Sequence, residues 1–272
     1  MKLGIVGKGG AGKTTVCALL AQAYRERGRR VVAVETDSNP NLAMSLGLSL
    51  SQAEAVPPLP RSLVVGAGGE LAAEQLIGTY GRNTPSGVTL VSAINVGEAG
   101  AGCTCSGHAT VRSLLGEALG QVDVTIVDME AGLEHLSRSG GTLAYADVLL
   151  VVMDPSRKSV ITAARTLGLA DELGIARVYG VGNKARLPDD GEFFARACAE
   201  HGVPLAGIVP FDPDVVEADR FAEMVDLARA REARSAVGDI VSLLDSPAQQ
   251  RAALLRQRDD IDRRLAQLEA GA

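Results

Sequence analysis

No tryptophan occurs in the 272 residues, and four phenylalanines and four tyrosines hold the aromatic share to 3%. Intrinsic fluorescence is therefore a poor probe of this chain. Long apolar runs are absent too: none approaches the ~18 residues needed to cross a bilayer. Met1-Lys2-Leu3 leads straight into a strand-like run without a signal-peptide pattern. Basic residues are outnumbered, 27 Lys and Arg against 33 Asp and Glu, for a formal net charge of -6. That balance speaks against a dedicated nucleic-acid binder, although a local basic face is compatible with it. The expectation is a soluble cytoplasmic protein with no nucleic-acid and no membrane partner. Cysteine is sparse, limited to Cys17, Cys103, Cys105 and Cys198, and a cytoplasmic setting disfavours disulfides. Cys17 and Cys198 fall in helix-like stretches and read as small buried apolar residues.

What is present is an ordinary globular composition, 46% hydrophobic and 22% charged, long enough for one large α/β domain. Strand-like runs occur at Leu3–Val6, Val31–Glu35, Leu63–Val65, Thr89–Ser92, Val124–Asp128, Val148–Met153, Val178–Gly182 and Ile208–Val209. Several are continuous β-branched runs, as in parallel strands buried on both faces. Amphipathic stretches lie between them at Lys13–Gly28, Ala109–Leu119, Val160–Gly174 and Phe193–Gly202. This alternation predicts an α/β fold, a doubly wound and mostly parallel sheet that binds ligands beyond the carboxyl ends of its strands. Residues 51–62, with Pro57, Pro58 and Pro60, read as a loop. From about Ser246 the character changes: Leu254, Ile261 and Leu268 recur every seven residues among many charges, which predicts a charged amphipathic C-terminal helix. The expected division is a P-loop domain over residues 1–245 and a helical tail over residues 246–272. The tail either packs on its own domain or contacts a partner.

Residues 7–14 carry the chemistry. Gly7, Lys8, Gly9, Gly10, Ala11, Gly12, Lys13 and Thr14 spell G-x-x-x-x-G-K-T directly after the first strand, with Thr15 following. Glycines let successive N–H groups curl around phosphate oxygens, and the helix opening near Gly12 adds its positive end. Lys13 is placed to reach the β- and γ-phosphates and the Thr14 hydroxyl to ligate Mg²⁺. Asp128 caps an apolar strand in the Walker B manner, and Gly132 follows as a candidate γ-phosphate sensor. Asp37 follows the second strand, facing the loop. Asn183 ends a strand with an amide suited to adenine, and Pro210 and Phe211 end the next. Arg186 stands where an N-K-x-D guanine reader would place its acid, so ATP is favoured over GTP. Cys103-Thr104-Cys105 offers two soft ligands in a glycine-rich segment, with His108 three residues on. Two copies of the pair facing each other would complete a four-thiolate site for Zn²⁺, Ni²⁺, Cu(I) or an iron–sulfur cluster.

The pattern K-G-G-x-G-K-T-T, with its early Lys8, resembles the deviant P-loop ATPases: the nitrogenase iron protein, the ParA and MinD partition and positioning ATPases, and the nickel-insertion ATPases. The resemblance implies that Lys8 acts across a homodimer on the partner's ATP. It also implies that Asp37 orients the attacking water, that Asn183 reads adenine, and that the Pro210 segment covers the ring. Ala131-Gly132-Leu133-Glu134-His135-Leu136-Ser137-Arg138 and the mid-chain Cys-x-Cys narrow the resemblance to the CooC-like accessory ATPases that insert nickel into carbon monoxide dehydrogenase. It runs from Met1 to about Leu244. It implies an ATP- and Mg²⁺-dependent homodimer that binds Ni²⁺ or Zn²⁺ through Cys103 and Cys105 and serves a client metalloenzyme. The chain departs from the family pattern at Glu35, at Asp37-Ser38 and at Glu130. The alternatives are a ParA- or MinD-like positioning ATPase and an ATP-driven iron–sulfur electron donor.

Overall fold

The computed structural model describes residues 1–37, 39–59, 73–93, 122–131, 143, 145–248, 251, 252, 254, 255 and 258. The chain opens with strand β1 (Lys2–Gly7), helix α1 (Lys13–Glu26), strand β2 (Val31–Glu35) and the short helices α2 (Asn41–Ser45) and α3 (Leu50–Glu54). Next come α4 (Ala73–Tyr80), β3 (Arg82–Asn83), β4 (Thr89–Ser92), β5 (Val124–Asp128), β6 (Val148–Met153), α5 (Arg157–Glu172) and β7 (Val178–Ala185). The described core closes with α6 (Asp190–Glu200), β8 (Leu205–Pro210), α7 (Pro213–Phe221) and α8 (Arg231–Leu244).

The strands form one sheet of eight in the order β3-β4-β2-β5-β1-β6-β7-β8. All described pairs are parallel except β3 with β4 at the edge. The central strands are buried on both faces, which explains their unbroken apolar runs. Along β6, Val148, Leu150 and Val152 enter the core beneath α1 and α8. Leu149, Val151 and Met153 enter the opposite core beneath α5 and α6. From β1 the chain crosses to β2 on one side, while β6, β7 and β8 extend the sheet on the other. The phosphate-loop sequence sits at the carboxyl end of β1, where these directions diverge, as expected of an open α/β sheet.

The run expected as a loop over residues 51–62 is helical at its start. Ser49 accepts from the Gln52 amide while the Gln52 side chain accepts from the Ser49 amide, a capping box that starts α3 ahead of the prolines. Helices α7 and α8 were not anticipated. The expected strand Leu63–Val65, the expected helix Ala109–Leu119, Cys103, Cys105, His108 and Gly132 lie outside the described residues. In the tail, the described residues 247, 248, 251, 252, 254, 255 and 258 are helical. Leu254 is 66% exposed, so the described part of its seven-residue stripe is uncovered. Among the described residues, no helix is long and apolar enough to cross a membrane.

Candidate functional site

Gly12 precedes α1 with a φ of +92°. A Cβ on it would stand 2.3 Å from the Asn183 amide nitrogen, so both its conformation and its surroundings require glycine. No side chain caps α1 there, which leaves the N–H groups of its first turn aimed at an incoming anion. Lys13 opens the helix and is 91% buried by its 9% exposure. Burial lowers its ammonium pKa, while Asp128, Asp37 and Glu130 pull it back up. Lys13, Asp37, Asp128 and Glu130 thus lie close enough for the three carboxyls to act on the ammonium.

Parallel register sets Glu35 of β2 beside Asp128 of β5, two carboxyls at the same sheet end. Burial raises the Asp128 carboxyl to about 7; a hydrogen bond from the Thr14 hydroxyl and the nearby Lys13 act against that rise. Burial likewise raises Glu35 to about 8, opposed by hydrogen bonds from the Leu42 and Ala43 amides. Glu35 Oε1 accepts from Leu42 at 2.7 Å, so this departure from the family pattern anchors the start of α2. Thr36, fully buried, donates its hydroxyl to the Asp128 carbonyl at 2.8 Å and accepts from the Glu130 amide at 3.3 Å. The segments after β2 and β5 are thereby tied together. Asp37 accepts from the Asn39 amide at 3.0 Å, a local turn that holds its carboxylate after the strand. Cys17 packs fully buried under this site, as expected of a small apolar residue, its thiol pushed well up by burial.

Asp128 Oδ1 is buried with no hydrogen-bond partner. An orphaned carboxylate oxygen beside the Thr14 hydroxyl is the donor set that a hydrated Mg²⁺ requires. The residues therefore fit Mg²⁺ held by Thr14 and, through its water shell, by Asp128. A pH effect follows. Glu35 and Asp128 titrate well above the ordinary carboxyl values of 4.5 and 3.8, so the folded chain keeps protons that the unfolded chain releases. Their contribution to stability is present below about pH 4 and is lost as the pH rises through 7 and 8. Between pH 6 and pH 8 the nucleotide-free protein should lose roughly 2–4 kcal/mol, a fall in Tm of about 5–10 °C. Glu35→Gln should flatten part of that slope, and Mg·ADP should flatten the part due to Asp128. Calorimetric melts at the two pH values check it; a Tm that holds or rises toward pH 8 contradicts it.

The other sequence-derived residues also gather here. Lys8 Nζ lies 3.6 Å from Asp154 Oδ2, just past β6. Asn183 Nδ2 donates to the Ala11 carbonyl at 2.8 Å, so its amide braces the loop in this structure, whatever else it reads. Ala185 pairs with Pro210, which brings the two post-strand segments together. The Arg186 guanidinium stacks 4.9 Å over the Phe211 ring. Sequence reasoning gave no role to Asp154, Lys184 or Thr36, and it used Arg186 only as the absence of a guanine-reading acid. Asp154 and Arg186 stand at strand ends, the signal that picked out Asp128 and Asn183. Among the described residues no group of three or more His, Cys, Asp or Glu could hold a metal ion.

A phosphate loop, a buried strand-end acid and a parallel sheet define a P-loop nucleotide hydrolase. The family model for the CobQ/CobB/MinD/ParA nucleotide-binding domain matches residues 5–225, and the chain belongs to that family. It is an ATPase, and the Thr14 hydroxyl with the orphaned Asp128 oxygen is a donor set that fits Mg²⁺. The carbon monoxide dehydrogenase accessory protein CooC of Rhodospirillum rubrum is 35% identical over 235 residues, 81% of this chain and 87% of that protein. The ParA-family ATPase of Chlorobium tepidum has the same fold, with a TM-score of 0.68 at 22% identity over 88% of this chain and 97% of the other. Septum site-determining MinD of Pyrococcus horikoshii, in a complex with Mg-ADP, superposes with a TM-score of 0.67 at 20% identity, covering 91% and 96%.

Proposed function

We propose that this ATPase is a metal carrier that binds one nickel ion between two copies of itself and assists its insertion into carbon monoxide dehydrogenase or a related metalloenzyme. The similarity to the accessory protein CooC, over most of both chains, carries this reading. The Cys103-Thr104-Cys105 pair supports it, since two such pairs supply four thiolates, a donor set that also accepts Zn²⁺. Nickel is here the cargo. In the ATP cycle Lys13 and the first-turn amides of α1 bind phosphate, and Asp37 orients water. When bound, Mg²⁺ neutralises phosphate charge. The Thr36 hydroxyl, bonded to the Asp128 carbonyl and the Glu130 amide, makes the segment after β2 move with the segment after β5. Lys8 leaves Asp154 for the partner's ATP and closes the dimer.

The test is an anaerobic Ni²⁺ titration of the reduced chain, read by thiolate charge-transfer absorbance and by mass from light scattering, with and without an ATP analogue. Saturation at one ion per dimer is expected, abolished in the Cys103→Ser, Cys105→Ser double variant with ATP affinity unchanged. Nucleotide-driven dimers that hold no stoichiometric metal would overturn the proposal in favour of a positioning ATPase. A reducible cluster in protein prepared without oxygen would overturn it in favour of an electron donor.

A further inference from the structure

Residue 184 is a lysine in a conformation that lysine rarely adopts. Its φ is +61°, in the left-handed region where a Cβ is disfavoured. The β7–β8 register is irregular between Gly182 and Ala185, on either side of it. Such outliers persist where surrounding structure holds them, and they cluster at functional sites. The side chain is exposed, yet its Nζ donates to the Gly10 carbonyl at 2.8 Å. Next to it, Asn183 Nδ2 donates to the Ala11 carbonyl, also at 2.8 Å. Consecutive residues of β7 thus hold consecutive carbonyls of the phosphate loop.

A trans peptide group points its carbonyl and its N–H in opposite directions. Drawing the Gly10 carbonyl to Lys184 therefore turns the Ala11 N–H away from Lys184, where it meets the Lys8 carbonyl at 3.2 Å. Gly10 has a φ of +79°, so Lys8 to Ala11 closes as a turn with the positive φ that marks type II at its third position. Lys8 occupies the first position of that turn. In the same way, Asn183 directs the Gly12 N–H away from β7.

We propose that Lys184 is a positioning residue of the phosphate loop: its ammonium on the Gly10 carbonyl fixes the Lys8–Ala11 turn in the form that receives ATP phosphates and presents Lys8. The inference concerns the ATPase and does not depend on any metal cargo. It is tested with Lys184→Met, Lys184→Arg and Lys184→Gly, measuring affinity for ATP, ADP and adenosine by competition, with Tm as the control for folding. Lys184→Met should weaken ATP and ADP roughly tenfold and leave adenosine, which has no phosphate, unaffected. Lys184→Arg should restore most of the loss. Lys184→Gly relieves the backbone, so it should melt at or above Lys184→Met while binding ATP as weakly. ATP affinity in Lys184→Met within twofold of the unmodified chain would overturn the proposal. An equal loss for adenosine would overturn it by assigning Lys184 to the base, and recovery of affinity in Lys184→Gly by assigning the effect to the backbone.

Discussion

Lys13→Ala is expected to cut ATP hydrolysis at least about 10³-fold and to weaken ATP binding about 100-fold. The size follows from where the ammonium sits. At 9% exposure it is nearly out of water, and burial already lowers its pKa. In such a place a cation interacts with phosphate far more strongly than it would in solvent. It also balances Asp128, Asp37 and Glu130, all of which act on it. Without it, a polyphosphate meets three carboxyls and no buried cation, so the variant loses an attraction and uncovers a repulsion. The apo fold should survive, because Asp128, already raised to about 7 by burial, can take up a proton when the compensating charge is gone. Its carboxyl should then titrate higher still, and the fall of Tm between pH 6 and pH 8 should steepen. Single-turnover hydrolysis and melts at both pH values check the prediction; hydrolysis within tenfold of the unmodified chain would sink it.

How far the sequence could be read depended on the range of the forces involved. Val31–Glu35, Thr89–Ser92, Val124–Asp128 and Val148–Met153 match their expected bounds residue for residue. Parallel strands buried on both faces need unbroken apolar runs, and in β2, β4 and β5 the charged or small polar residue at the carboxyl end, Glu35, Ser92 and Asp128, marks where the apolar run ends although the residue itself is buried. The phosphate loop was legible because its glycines answer to backbone geometry a few residues away. Helix α8 offered a signal that went unused: Ala233, Val237, Ile240, Val241 and Leu244 form one buried stripe at helical spacing. Helix α7 also announced itself, with Asp212 accepting from the Asp214 amide and Pro213 at the first helical position. The two-residue edge strand β3 is too short for any periodicity. The partners Asp154 of Lys8 and Lys184 of Gly10 were out of reach for a different reason. Each is separated from the loop by well over a hundred residues, and only the sheet order, with β6 beside β1 and β7 next to it, brings them there.

The ion pair at Lys8 leads to the second large effect. Lys8→Ala is expected to leave ATP affinity of the isolated chain within about threefold, yet to lower hydrolysis about 10³-fold and to abolish ATP-driven doubling of mass, as for a cation supplied in trans to a γ-phosphate. The Lys8–Asp154 contact is long at 3.6 Å, with side chains 41% and 24% exposed. Pairs of this kind contribute less than about 1 kcal/mol. Asp154 is not free to follow Lys8 outward, because Ser156 donates to its carboxylate and its own amide is bonded to the Ser159 hydroxyl oxygen. In the proposed ATP-bound dimer the lysine chooses between one fixed carboxylate in its own chain and the more negative phosphates of a partner's ATP, and the phosphates win only when a partner is present. The two ends of the pair should then give opposite signs. Asp154→Asn weakens the hold on Lys8 while keeping the polar shape, so it should tighten the ATP-driven dimer by up to about fivefold. Light scattering with an ATP analogue, run beside single-turnover hydrolysis, reads both variants. A Lys8→Ala protein that dimerises normally would end the trans role of Lys8. An Asp154→Asn protein that dimerises less well would mean that Asp154 supports the closed state instead of competing with it.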